Sequence, residues 1–355
     1  MRFLEILNCV KPRVKVINAY IILNTMAKIL VNGVSVIVLD FLKHTYINDA
    51  LKSICSQSLN RELFECIIIT DNVRNIETNQ LIESSIHFKI VKDNPKSPLI
   101  NLLNALKYCK FDIVSIIDND DEWYQCKLEY IYNYFSCDAS IIAIKDSFEL
   151  IYPDDKFDLL KKINFKFRFY TKLKNKDTLF NKESFKINDL VGLGLWHNNS
   201  TYSIKKDILL KYRDLLYKIK YNTDVVLLFM LLTDGGNILA VSKVLTKFRL
   251  GGGSSSIIIS RNDDSSLNKY ELADIYMGTF FKPLIYDSHN LDILLLFNLY
   301  RLSFLYSYAN KHLIDDKSIN KFSYSLSLFL VSKNISILIG FFVYRLRRVL
   351  LTLAL

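Results

Sequence analysis

The chain of 355 residues carries 46 Lys and Arg against 36 Asp and Glu, a formal net charge of +10. Half of its residues are hydrophobic and 23% are charged, which excludes intrinsic disorder and leaves length for one large or two ordinary domains. Only 10 Gly and 5 Pro argue against a β-sandwich rich in tight turns, and six cysteines without CxxC spacing fit buried thiols in a reducing compartment better than a disulfide framework.

Residues 1–30 read as a lead-in, apolar with scattered Arg2, Lys11, Arg13 and Lys15 and without a cleavable signal pattern. Met26 is the expected start, or residues 1–25 are accessory. From Val34 the signals become regular. Val34 to Leu39 has the length and β-branching of a buried strand. Ile47, Ala50, Leu51 and Ile54 then share one helical face at i, i+3, i+4 and i+7. Cys66 to Ile69 and Ile86 to Val91 predict two more strands. Leu99, Leu102, Leu103 and Leu106 mark a second helix, and Ile113 to Ile117 a fourth strand. A helix carrying Leu128, Ile131, Tyr132 and Phe135 leads to a strand at Ile141 to Ile144. Strands alternating with helices imply right-handed crossovers, hence an α/β fold with a mostly parallel sheet and helices on both faces.

Residues 146–200 lose this periodicity and are expected to be loops and short elements over the sheet. Between Lys156 and Lys186 ten basic residues face three acidic ones, either an anion-binding patch or a solvated lysine-rich loop. No nucleic-acid-binding motif accompanies the charge, so no nucleic acid partner is expected. A helical pattern resumes around Ile208 to Tyr217. Another helix follows Tyr221-Asn-Thr-Asp224, with Val225, Leu228, Phe229 and Leu232 on one face; its positive end would favour an ionised Asp224. A strand near Ile238 to Val241 precedes Leu245 to Leu250 and a Gly/Ser run at 251–256, either a linker or a ligand-closing loop. Residues 257–355 form an expected C-terminal helical region. Within it, Tyr324 to Tyr344 is long enough to span a bilayer but is interrupted by Lys333 and Asn334, and Arg345, Arg347 and Arg348 follow. An interfacial amphipathic helix on an anionic membrane and packing onto protein are both compatible with that pattern.

Two of the strands end in carboxylates, at Asp71 and at Asp118-Asn119-Asp120-Asp121. Ligands of open α/β sheets bind outside the carboxyl ends of the strands. Asp118 and Asp120 flank one residue, and two such charges repel unless a cation sits between them; a solvated acidic turn is the alternative.

These features, in this order, resemble the family 2 glycosyltransferases of the GT-A fold. Val34-Ser-Val-Ile-Val-Leu-Asp-Phe41 is similar to the family's opening strand and nucleotide loop, and Asp49 to Ser58 to its "ESVLNQT" helix. Phe64 to Asn72 resembles the "EIIVVDDGS" strand, and Phe111 to Leu128 the "GEYIAFLDDDDIWHPDKL" segment with the DxD motif. Leu245-Thr-Lys-Phe-Arg-Leu-Gly251 resembles "L..YR.H". The resemblance covers residues 34–256 and implies a glycosyltransferase domain over 31–256, with a nucleotide-sugar half (31–145) and an acceptor half (146–256).

It further implies roles for single residues. Phe41 would stack on the nucleobase and Asp71 bind it; Asp118 would lie near the ribose and metal. Asp120 would hold Mg²⁺ or Mn²⁺ on the diphosphate of a UDP-, GDP- or dTDP-sugar. Asp224 matches the aspartate of the "ED" motif, the catalytic base of an inverting transfer. A glycan or lipid-linked acceptor and a place in the cytoplasm, on the inner face of the membrane, are the matching expectations. The sequence departs from the pattern in four places. Leu39-Asp-Phe-Leu42 replaces "PTYN", Thr70 stands for the first of two aspartates and Thr223 for the glutamate of "ED", and the 251–255 loop lacks a histidine. A catalytically inactive GT-A domain serving as a membrane-associated binding module is the alternative these departures motivate.

Overall fold

The computed structural model describes residues 31–41, 44–93, 97–152, 177–186, 198–217 and 223–249. The lead-in, Leu42, most of the basic segment, His197, the Gly/Ser run and the whole C-terminal region lie outside the described residues.

Strand β1 (Val34–Asp40) is buried along its entire length, and its side chains divide between two cores. Ile37 and Leu39 join one cluster, Val34, Val36 and Val38 the other. A period of two separates them, so both faces of the strand must be covered, and the uninterrupted apolar run is the signature of that burial. On the first face lie α3 (Pro98–Ala105) and α7 (Thr223–Asp234); on the second lie α1 (Ile47–Cys55) and α4 (Lys127–Cys137). The Ser97 side chain caps α3 by accepting from the Ile100 N–H at 3.2 Å, with Pro98 in the first turn. Gly33 enters β1 at φ +147°, where a Cβ would meet the Leu63 carbonyl oxygen at 2.4 Å.

The described strands form one sheet in the order β3-β2-β1-β4-β8-β6-β9-β5, with β7 paired to β9. Strands β2 (Phe64–Thr70), β3 (His87–Lys92) and β4 (Ile113–Asp118) pair in parallel around β1. The long pairing of β6 (Ile141–Ile151) with β9 (Asn237–Arg249) is also parallel. Antiparallel contacts are short: β8 (Tyr202–Lys205) bridges β4 to β6, β5 (Glu122–Trp123) meets β9, and β7 (Thr178–Phe180) meets β9. The sheet is therefore mixed and mostly parallel, with helices on both faces, as the alternation of elements predicted.

Most differences lie from β6 onward. Strand β6 runs on to Ile151, because β9 offers it a partner well past the apolar Ile141–Ile144 stretch. Residues 146–200 therefore contribute the end of β6 and all of β7 to the sheet itself, where loops and short elements lying over it were expected. Strand β8 was not foreseen, and the helical pattern that follows it divides into α5 (Lys206–Lys211) and α6 (Arg213–Leu216). The short α2 (Asn79–Glu83) completes the described helices. Among the described residues no helix is long and apolar enough to cross a membrane.

Candidate active site

The parallel register brings the strand ends to one edge. Asp40 lies opposite Thr70, and Leu39 opposite Asp118. The acidic turn leaves that edge after β4 and is tied back to β1 by the Asn119 N–H, which donates to the Leu39 carbonyl at 3.2 Å.

The aspartates of the turn do different things. Both oxygens of Asp121 are taken: Oδ2 accepts from the Ser200 hydroxyl at 2.6 Å, and Oδ1 from the Arg249 N–H at 2.9 Å. Asp121 is thus a strut between the turn, residues 198–201 and β9. Asp118 Oδ2 accepts from the Asn199 amide at 3.3 Å. Burial pushes the Asp118 carboxyl up to about 7, helped by the charges of Asp120 and Asp224. The structure therefore brings Asp224, distant in sequence, into the electrostatic neighbourhood of Asp118 and Asp120.

Asp224 stands in the first turn of α7. Burial raises its pKa; the Val225 and Asp224 backbone N–H groups, the Asn198 N–H and the Lys145 charge pull it back. The helix-end N–H groups favour the carboxylate, and desolvation outweighs them. Lys145, on β6, donates to the Thr201 hydroxyl and lies 4.5 Å from the centre of the Tyr202 ring. Burial lowers its pKa to about 7 against the pull of Asp146 and Asp224.

Phe41, expected beside the nucleobase, is partly buried at the end of β1 and packs against the first core. Asp71 is about a quarter exposed, with Oδ1 3.1 Å from His44 Nε2. That contact has ion-pair distance but lies off the line of a hydrogen bond. Two of the departures from the family pattern turn out to be partners. Asp40 and Thr70 face each other across β1 and β2, and the Thr70 hydroxyl donates to Asp40 Oδ2 at 2.7 Å. The first strand carries the carboxylate and the second the hydroxyl, the reverse of "PTYN" and "DD".

Residues 35–191 match the family model described as glycosyl transferase family 2. This stretch belongs to glycosyl transferase family 2. Phe41, Asp71, Asp118 and Asp120 fall inside the matched residues, and Asp224 beyond them. No curated protein matches the sequence. Among solved structures, S. aureus TarS 1-349 in complex with UDP-GlcNAc has a TM-score of 0.58 at 16% identity, covering 83% of this chain and 81% of that one. A second structure of S. aureus TarS 1-349 gives 0.55 at 14% identity, covering 84% and 81%. Its UDP complex gives 0.52 at 13%, covering 83% and 80%. At such identities the likeness is one of fold, and the fold is GT-A.

The glycosyltransferase domain holds its acidic turn with residues that sequence reasoning did not single out. Lys127, fully buried at the start of α4, pairs with the equally buried Asp146 at 2.7 Å. It also donates to the Ser200 carbonyl at 2.6 Å and the Thr246 hydroxyl at 2.8 Å, beneath the Trp123 ring. Arg249 reaches over the turn from β9, its Nε donating to the Asp120 carbonyl at 3.0 Å and its Nη2 to Glu122 at 2.5 Å. Gln57 links the loop after α1 to the Tyr124 carbonyl and the Leu128 N–H, both at 3.0 Å. Lys127, Arg249 and Gln57 each sat in a matched motif, which was the available signal. Asp146, Ser200 and Lys145 carried none.

Proposed function

We propose that this glycosyltransferase moves a sugar from a nucleotide diphosphate donor to an acceptor hydroxyl with inversion at the anomeric carbon. The observation that carries the reading is that Asp118, at the carboxyl edge of the parallel strands, feels the charges of both Asp120 and Asp224. The donor's base would lie toward Asp71 and Phe41, and its ribose and diphosphate toward Asp118 and Asp120. The UDP-GlcNAc and UDP complexes of TarS support a uridine nucleotide as the first candidate.

The residues present suit a divalent cation. Two crowded carboxylates, one of them lifted to about 7 partly by its neighbour, are what Mg²⁺ or Mn²⁺ stabilises, and such ions use one or two carboxylates alongside substrate phosphates. Asp120 would hold the ion with Asp118 beside it. The Asn199 amide, which donates to Asp118, keeps a buried oxygen with no hydrogen-bond partner next to this pair. When bound, the ion supplies Lewis-acid stabilisation of the diphosphate's developing charge. Among the described residues no group of three or more His, Cys, Asp or Glu is gathered for a metal, so an all-protein cage is not part of the reading.

Asp224 is the base. Its carboxylate accepts the acceptor hydroxyl's proton as the oxygen forms its bond to the anomeric carbon and the bond to the diphosphate breaks. A raised pKa suits the task, because a general base works best when its pKa approaches the working pH. A glycan or lipid-linked acceptor on the cytoplasmic face of a membrane is supported by composition alone: the basic 156–186 segment and the apolar, arginine-bearing C-terminus.

A thermal-shift screen of UDP, GDP and dTDP with and without Mn²⁺ tests the reading, since a ligand that binds only the folded state raises its melting temperature. A Mn²⁺-dependent rise with one of them is expected. No shift with any at millimolar concentration would overturn it.

A further inference from the structure

His44 sits in the segment between β1 and α1, 12% exposed, with a carboxylate at each ring nitrogen. Nδ1 is 2.8 Å from Asp40 Oδ1 and Nε2 is 3.1 Å from Asp71 Oδ1. Asp40 is wholly buried, and its other contacts are the Thr70 hydroxyl and the Asn119 amide, each donating at 2.7 Å. Asp40 is therefore anchored on β1, β2 and the acidic turn at once. One ring nitrogen faces each carboxylate, so the imidazole spans the gap between Asp40 and Asp71. Among the described residues these two are the only charged groups within ion-pair reach of the ring.

We propose that His44 is a positioning residue for the donor. It couples the Asp71 carboxylate, about a quarter exposed, to the immobile Asp40, packing against Oδ1 and leaving Oδ2 to accept from the donor's base. The inference rests on the reading of Asp71 as the base-binding group. It gives the Asp40–Thr70 exchange a consequence: the carboxylate that has moved to β1 is the one against which the histidine braces. The acidic turn is held by the same group through Asn119, so the base end and the diphosphate end of the donor site share one buried anchor.

The test is calorimetric titration of the full chain with UDP, GDP and dTDP in Mn²⁺. His44→Ala is expected to weaken the best of these by about tenfold, the scale of one charge-assisted contact, while the melting temperature of the unliganded protein moves by only a few degrees. His44→Gln, which keeps a donor, is expected to recover part of the loss. In the Asp71→Asn background, His44→Ala should cost nothing further, because coupled residues lose their interaction once. Should His44→Ala misfold, His44→Gln takes its place in the cycle. Unchanged affinity in a folded His44 variant, or additive losses in the cycle, would overturn the proposal while leaving Asp71 in place. Unchanged affinity in Asp71→Asn, or no binding of any of the three nucleotides, would overturn the donor reading beneath it.

Discussion

Asp224 is pulled two ways. Burial favours its neutral form; three backbone N–H groups and Lys145 favour the carboxylate. As the proposed base, Asp224 would lose its function when it can no longer take a proton, yet an amide fills the same space. Asp224→Asn should therefore keep the nucleotide-dependent thermal shift and lose transfer by about a hundredfold or more, measured as sugar release or transfer from the donor. In the proposed mechanism Asp120 serves the leaving group. Asp120→Ala should abolish the Mn²⁺-dependent part of nucleotide binding, seen as equal thermal shifts with and without the metal. The residue types at both positions were legible in the sequence. The balance of forces on Asp224 was not, because its opponents Asn198 and Lys145 come from elsewhere in the chain.

The elements around the acidic turn are joined by a buried ion pair. Lys127 at the start of α4 and Asp146 in β6 take up each other's charge, and Lys127 also satisfies Ser200 and Thr246. Removing the lysine leaves Asp146 charged or forces a proton onto it, in a place without water. Lys127→Met should cost about 3–5 kcal/mol in urea unfolding, and Lys127→Met with Asp146→Leu should cost less than the single change. Strands such as β1, β2 and β4 could be read from sequence because burial on both faces writes an unbroken apolar run. Strand β8 could not. Tyr202–Lys205 is four residues long and mixes Ser and Lys with apolar groups, and its place between β4 and β6 depends on partners far away in the chain. The extension of β6 beyond Ile144 was hidden for the same reason: Lys145, Asp146 and Ser147 break the apolar run, yet β9 continues the ladder.

Lys145 makes the stability of the whole molecule respond to alkaline pH. Its pKa is lowered from the ordinary 10.5 to about 7 in the folded protein, chiefly by burial. Between those values the unfolded chain binds a proton that the folded chain does not, so this group's contribution to stability increases as pH rises from about 7 toward 10. Below about 7 both states are protonated and the full cost of burying the charge is present. Lys145→Met should flatten the rise in folding free energy across that window, measured by denaturant unfolding at a series of pH values.

The sequence by itself determined the strand–helix alternation, the two faces of the sheet and the carboxylates at its edge. Those features are local: a buried strand must be apolar throughout, an amphipathic helix must repeat near 3.6 residues, and Asp118 and Asp120 are separated by a single residue. Tertiary structure alone decided which aspartates became scaffold. Asp121 is a strut because Ser200 and Arg249 reach it from other parts of the chain, and Asp40 is an anchor because Thr70 lies across from it in register. A carboxylate's role depends on what shares its low-dielectric surroundings, and the parallel sheet collects those neighbours from strands that the sequence keeps far apart.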